Sequence, residues 1–88
     1  MKLQSQKRRE SVNKITLYVK KRCPLCEEIS SLVELLTGEY QIVVQEIDIE
    51  QNDELMRKYL FEVPVLEVNG DELDYRSITY TAIEERLH

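Results

Sequence analysis

The 88-residue sequence contains no tryptophan, one histidine, two cysteines and no long apolar run. A membrane-spanning helix needs about 20 consecutive apolar residues, and the core of a signal peptide about 7–15. The first 13 residues are predominantly polar. We therefore expect a cytoplasmic protein with no membrane partner.

The low cysteine count excludes two further classes of protein. Two cysteines are too few for the disulfide scaffold of a small secreted domain. They are also too few for a closed four-ligand zinc site, because His88 is the only histidine. The role of the single cysteine pair must therefore be sought in the sequence around it.

The net charge of −5 is unevenly distributed along the chain. Residues 1–22 carry eight basic side chains and one acidic side chain, whereas residues 23–88 carry four basic and sixteen acidic ones. A basic arm can bind nucleic acid, but the chain has neither a broad basic face nor interleaved aromatic residues for stacking bases. We predict no nucleic-acid partner, a disordered tail at residues 1–13 and a domain at residues 14–88.

Hydrophobic patterning predicts four strands and three helices. Strands are predicted at residues 15–19, 42–49, 63–68 and 72–75, the last two joined by a hairpin turn at Asn69-Gly70-Asp71. One helix is predicted from Pro24 to a C-cap at Gly38, a second after a cap at Asn52 or Asp53, and a third from near Ser77. The order β-α-β-α-β-β-α predicts an α/β fold with a four-stranded mixed sheet flanked by three helices.

Pro64 falls inside the third strand pattern, where proline cannot donate a hydrogen bond to a central ladder. A cis peptide at a bend entering the strand is one explanation. A trans proline at the first residue of the strand is the other. The sequence leaves both open.

The motif whose residues can carry out a reaction is Cys23-Pro24-Leu25-Cys26, which lies between a predicted strand and a predicted helix. Cys23 is expected at the N-cap, with Pro24 at the first helical position. The helix start and the preceding cations, Lys20 to Arg22, favour a thiolate at Cys23. Cys26 lies one helical turn further on and is expected to be more interior. These features predict that Cys23 attacks a substrate disulfide and that Cys26 resolves the mixed disulfide.

Two other interpretations of the motif stay open. The cysteines could be half of a metal site shared with a partner. They could also be structural thiols or form a regulatory disulfide in a non-catalytic binding module.

Three segments resemble glutaredoxin-like proteins of the thioredoxin superfamily, and the likeness covers roughly residues 14–87. Residues 17–28 are similar to the first strand and active-site turn of that family. Residues 46–50, followed by residues 53–55 and Tyr59, are similar to its second strand and next helix. Residues 63–66 match its cis-proline segment.

The resemblance implies a thiol–disulfide oxidoreductase with Cys23 as nucleophile and Cys26 as resolving cysteine. It also implies that Pro64 is cis and faces the cysteines, and that the backbone of Val63 pairs with a bound peptide or glutathione. Lys20 matches a glutaredoxin lysine that meets a glutathione carboxylate. Arg22 and Pro24, which flank Cys23, complete the expected substrate-binding set.

The chain departs from glutaredoxins after the hairpin, where Asn69-Gly70 and Asp71 replace the usual Gly-Gly turn and acid-bearing motif. This change argues against glutathione as the reductant. The chain also differs from a typical thioredoxin, because it lacks the Trp-Cys-Gly-Pro-Cys signature. We expect a monomer with no tightly bound cofactor, acting on a disulfide-containing protein or a small thiol compound and regenerated by a cellular reductant.

Overall fold

The computed structural model describes residues 12–88, which form the predicted series of strands and helices. The strands are β1 (Asn13–Val19), β2 (Ile42–Asp48), β3 (Val65–Val68) and β4 (Asp71–Leu73). The helices are α1 (Pro24–Thr37), α2 (Asp53–Tyr59) and α3 (Tyr80–Glu84), and one 3₁₀ turn (Ile49–Gln51) precedes α2. Among these residues no helix has the length and apolar composition needed to cross a bilayer.

The four strands form one mixed sheet in the order β2-β1-β3-β4. β1 and β2 are parallel, with Val19 opposite Asp48. β1 and β3 are antiparallel, with Tyr18 opposite Val65. The carboxyl ends of β1 and β2 and the amino end of β3 therefore meet at one end of the sheet, which positions the loop carrying Cys23. The predicted fold class is confirmed.

Alternating side chains of the sheet build two cores, one on each face. On one face, Ile15 and Leu17 of β1 pack with buried side chains of α1 and α3. On the other face, Tyr18 packs against Ile49, Tyr59 and Val65. Helices α1 and α3 thus cover one face, and α2 covers the opposite face.

The β3–β4 hairpin turns at Asn69-Gly70, as predicted. Both residues have positive φ, 51° at Asn69 and 88° at Gly70. This is the backbone conformation for which Asn-Gly is favoured in two-residue hairpins. The Asn69 side chain also accepts a hydrogen bond from the Lys14 amide at 2.9 Å, which holds the turn against β1.

Several element ends differ from the prediction, because capping side chains decide them. Helix α3 begins at Tyr80 instead of near Ser77: Thr79 is extended, and its hydroxyl accepts a hydrogen bond from the Ala82 amide at 3.0 Å. Strand β4 ends at Leu73, because the next residue, Asp74, closes a turn by accepting from the Arg76 amide at 2.9 Å.

The start of β1 also extends beyond the pattern read from the sequence. Asn13, which the predicted tail included, is the first residue of β1 and is fully buried. Its backbone amide donates to the Gln41 carbonyl at 2.9 Å. Residues 1–11 of the predicted tail lie outside the described residues.

Candidate active site

The start of helix α1 places Cys23 as the sequence predicts. Cys23 is the N-cap in an extended conformation, and Pro24 follows at the first helical position. The Cys23 Sγ accepts a hydrogen bond from the Cys26 amide at 3.1 Å. A sulfur thus takes the capping role that a hydroxyl or carboxylate oxygen usually has.

The residue before the cap adopts an uncommon backbone conformation. Arg22 has a φ of 56°, which lies in the left-handed region that non-glycine residues adopt infrequently. Arg22 lies in the four-residue loop that connects the end of β1 to the start of α1. The sequence contains no signal for this conformation, because neither glycine nor asparagine stands at this position.

Cys23 and Cys26 are joined by a disulfide across one helical turn, with Cα atoms 5.2 Å apart. Cys23 is 9% exposed and Cys26 is 3% exposed. Cys26 is thus the more interior of the two, as expected, but Cys23 is itself largely covered. Of the two sulfur atoms, that of Cys23 therefore belongs to the more accessible residue.

A cleft of about 210 Å³ opens over the disulfide. Its lining residues come from the end of β1, the following loop, α1 and β2: Val19, Lys20, Cys23, Cys26, Glu27, Ser30 and Glu46. Within the cleft, the Ser30 hydroxyl donates to the Glu46 carboxylate at 3.3 Å. The disulfide therefore lies beside one ammonium group and two carboxylates.

Of the other residues predicted for the site, Lys20 lines this cleft and four do not. Arg22 and Pro24 are exposed and flank Cys23 in the chain. Pro64 is fully buried, its peptide bond with Val63 is cis, and Val63 is half-buried. Because Tyr18 pairs with Val65, these last two residues lie at the same end of the sheet as the Cys23 loop.

Sequence reasoning did not identify Glu27, Ser30 and Glu46 as cleft residues. A signal existed for Ser30, which lies one helical turn after Cys26 on α1. No local signal existed for Glu46, because its place depends on the register that sets it opposite Leu17.

The electrostatic surroundings of Cys23 are positive on the loop side. Within residues 12–88, the two salt bridges are Arg76–Glu62 and Arg86–Asp71, so neither uses the cations that precede Cys23. The α1 start adds the positive end of its dipole. Both favour a thiolate when the disulfide is reduced, whereas the Glu27 and Glu46 carboxylates of the cleft oppose it.

The cysteines were also considered as part of a metal site. Within the same part of the chain, no group of three or more His, Cys, Asp or Glu side chains is arranged to hold a metal ion. The cleft carboxylates and the cysteine pair do not form such a group.

Comparison with known proteins agrees with this architecture. A solution structure of the protein Ne2328 from Nitrosomonas europaea is similar, with 31% identity, a TM-score of 0.73, and coverage of 88% of this chain and 93% of that one. A thioredoxin mutant from Halobacterium salinarum has 19% identity and a TM-score of 0.60, covering 90% and 78% of the two chains. Thioredoxin-2 of a malaria parasite has 17% identity and a TM-score of 0.64, covering 85% and 81%.

The two thioredoxins show the fold, and a family model extends the result to almost the whole chain. The model described as glutaredoxin-like domain (DUF836) matches residues 14–88. With a Cys-x-x-Cys pair at disulfide distance on a thioredoxin-like fold, the chain has the features of a redox protein. The chain belongs to the glutaredoxin-like domain family (DUF836).

Proposed function

We propose that the protein is a thiol–disulfide oxidoreductase in which Cys23 and Cys26 alternate between dithiol and disulfide. The observation that carries the proposal is the disulfide at the start of α1, with Cys23 at the N-cap and a solvent-open cleft above it. A purely structural disulfide has no need of a helix dipole, adjacent cations and a cleft.

In the first step, the reduced protein attacks its substrate. The Cys23 thiolate attacks one sulfur of a substrate disulfide, forming a mixed disulfide as the substrate S–S bond breaks. The departing substrate sulfur leaves as a thiolate and takes a proton from water. Cys23 is the attacking residue because it is the more accessible of the pair and stands at the helix start.

In the second step, Cys26 resolves the intermediate. Its thiol loses a proton to water and attacks Cys23 Sγ, which re-forms the Cys23–Cys26 disulfide and releases the second substrate thiolate. The separation of 5.2 Å between the two Cα atoms allows this ring closure without movement of the helix. The substrate gains two electrons, and an external dithiol or thiol reductant returns them to the protein.

The remaining predicted site residues have binding roles in this proposal. Lys20 lies in the cleft and can pair with a substrate carboxylate. Arg22 and Pro24 shape the approach to Cys23. By family resemblance, Pro64 lies opposite the cysteines and the Val63 backbone pairs with an extended substrate. The two exchange steps use only the cysteine sulfur atoms and the substrate disulfide, so the reaction requires no bound cofactor. One chain is sufficient, because both cysteines belong to the same helical turn.

Two single-cysteine variants test the proposal. Pre-reduced wild type should reduce 2-hydroxyethyl disulfide, and Cys23→Ser should lower the rate to the uncatalysed background. Cys26→Ser should instead complete the first step and accumulate a mixed disulfide on Cys23. Thiol release measures the rate, and intact-protein mass spectrometry detects the adduct. The same variant can trap protein substrates from a cell extract.

The thiolate provides an independent measurement. The ultraviolet absorbance of the Cys23 thiolate is obtained by subtracting the absorbance of Cys23→Ser from that of reduced wild type. As the pH is raised, this difference should increase at a pH well below about 8.5, the pKa of an ordinary cysteine. A transition near 8.5 together with no reduction of the model disulfide would contradict the proposal. Stoichiometric zinc or iron in the purified protein would favour the shared-metal interpretation instead.

A further inference from the structure

A second cleft adjoins the one over the disulfide. It also measures about 210 Å³, and it is lined by Leu17, Ser30, Val33, Glu34, Thr37 and Val44. Ser30 lines both clefts, so they follow one another along the line where α1 meets β2. The hydrogen bond from Ser30 to Glu46 joins α1 to β2 where the clefts meet, so a ligand that occupies both clefts passes over it. We call the two adjoining clefts the α1–β2 seam.

The walls of the seam follow from the periodicities of its two elements. On α1, Glu27, Ser30, Glu34 and Thr37 are three or four residues apart and share one helix face. On β2, Val44 and Glu46 are two residues apart and share one face of the strand. From Glu27 to Thr37 the helix rises roughly 15 Å, which matches four or five residues of an extended peptide.

The seam is open on its outer side. β2 is an edge strand, since in residues 12–88 it pairs with β1 alone. Val44 on its wall is 42% exposed, whereas Leu17 and Val33 are buried at the base. A ligand in the seam therefore meets an aliphatic floor and a partly apolar rim.

The charge of the seam selects the kind of ligand. Its charged lining residues are Lys20 at the disulfide end and three glutamates, Glu27, Glu34 and Glu46. The excess of negative charge is reinforced by the acidic composition of residues 23–88. An anionic ligand such as glutathione disulfide is disfavoured there, and a cationic one is attracted.

We propose that the α1–β2 seam binds an extended, basic and partly aliphatic segment adjacent to the reactive cysteine of a polypeptide substrate. This inference rests on the proposed oxidoreductase function and narrows its substrate class to proteins or peptides with Lys or Arg near the disulfide. The substrate disulfide lies over Cys23, and the residues on one side of it run along α1 towards Thr37. The residues on its other side are left to pair with Val63, because β2 and β3 flank β1 on opposite sides.

Three disulfide compounds test the proposal with pre-reduced protein and no other reductant. They are the disulfide-linked dimers of acetyl-Cys-Lys-Val-Lys-Val-amide and acetyl-Cys-Glu-Val-Glu-Val-amide, and neutral 2-hydroxyethyl disulfide. The second-order rate constant of each is measured at low and high salt. The basic dimer should react faster than the acidic one, and the difference should shrink as salt screens exposed charges.

The variant Glu27→Gln/Glu34→Gln/Glu46→Gln isolates the contribution of the seam. It should lower the basic-to-acidic rate ratio by roughly five- to tenfold, the effect expected of two or three exposed charge pairs. The matched control Glu28→Gln/Glu54→Gln/Glu85→Gln removes the same charge from exposed positions outside the seam. Its ratio should stay close to that of wild type. Equal ratios in the two triple variants would overturn the proposal.

A binding measurement is independent of turnover. The basic peptide with Ser in place of Cys should shift the amide resonances of Thr37 and Val44 in the oxidised protein. No shift there would overturn the proposal. Movement of the same resonances on deleting residues 2–11, without peptide, would assign the seam to the chain's own basic segment and would also overturn it.

The neutral disulfide separates the two proposals. If wild type fails to reduce 2-hydroxyethyl disulfide, the oxidoreductase function itself fails. If wild type reduces it in a Cys23-dependent manner but does not distinguish the charged dimers, only the seam proposal fails.

Discussion

At the scale of single residues, Asn13 joins three parts of the chain. Its Nδ2 donates to the carbonyls of Gln41 and His88 at 3.0 and 3.1 Å. Its Oδ1 accepts from the His88 amide at 2.8 Å and from Asn69 Nδ2 at 2.9 Å. A fully buried amide with every bonding group in use fixes the start of β1, the hairpin and the end of the chain together.

Replacement of Asn13 should therefore be strongly destabilising. Asn13→Ala leaves buried donors and acceptors without partners, and we expect a loss of about 2–4 kcal/mol in the free energy of unfolding. Urea denaturation measures it. Gln41→Ala is the matched control, because Gln41 is exposed and contributes only its backbone carbonyl to this network. Similar losses in the two variants would contradict the role given to the Asn13 side chain.

Residue-scale prediction from the sequence succeeded where the information is local. Cys23, Pro24 and Cys26 occupy one helix start, so their spacing alone defines their relationship. Asn13 and Glu46 could not be identified, because their partners are brought to them by strand pairing. A buried asparagine and a cleft glutamate look, in sequence, like any exposed polar residue.

At the scale of elements, the chain's two glycines end different structures in different ways. Gly70 has a φ of +88° in the hairpin turn, with no atom within 4 Å of an added Cβ. Gly38 is the C-cap of α1 with a φ of −79° and right-handed helical geometry. An added Cβ at Gly38 would make an ordinary contact of 3.4 Å with the Leu35 carbonyl oxygen.

Alanine should consequently have opposite effects at the two positions. Gly70→Ala should destabilise the protein by about 1–2 kcal/mol, because an L-residue disfavours left-handed backbone. Gly38→Ala should raise stability by about 0.4–1 kcal/mol, because it restricts the unfolded chain at a conformation that alanine accepts. Thermal and urea unfolding of both variants provide the comparison. The same sign at both sites would contradict the backbone assignment.

Element order and type were predictable from the sequence, since apolar periodicity and the Asn-Gly turn are strong signals. The first and last residues of the elements were less predictable. The start of α3 and the end of β4 differ from the predicted positions. Thr79 and Asp74 each accept a hydrogen bond from a backbone amide there, and the hydrophobic pattern does not reveal these bonds.

At the scale of the whole molecule, helix α3 is held to the loop after α1 by two tyrosine–carboxylate hydrogen bonds. The Tyr40 hydroxyl donates to Glu84 at 2.9 Å, and the Tyr80 hydroxyl donates to Glu39 at 2.7 Å. The hydrogen bond to Glu39, and then burial, raise the pKa of Tyr80 to about 12. The bond to Glu84 likewise raises the pKa of Tyr40.

Stability should therefore fall on the alkaline side. Above pH 10 the unfolded chain loses tyrosine protons that the folded protein still holds, so the stabilisation present below pH 10 is lost as the pH rises towards 12. Urea denaturation between pH 8 and 11.5 should show this decline. Tyr80→Phe should flatten it, whereas Tyr75→Phe, at a half-buried ring beneath Arg76, should not. Equal slopes in both variants would contradict the assignment.

The Asn13 network also has a consequence for attaching the protein to a support. Because His88 bonds to the first residue of β1, it lies where β1 begins, whereas the disulfide follows the other end of that strand. Seven strand residues span about 23 Å. A linker joined at His88, which is exposed, therefore leaves the disulfide facing away from the anchoring surface. An electrode coated in this way would present Cys23 and Cys26 to solution.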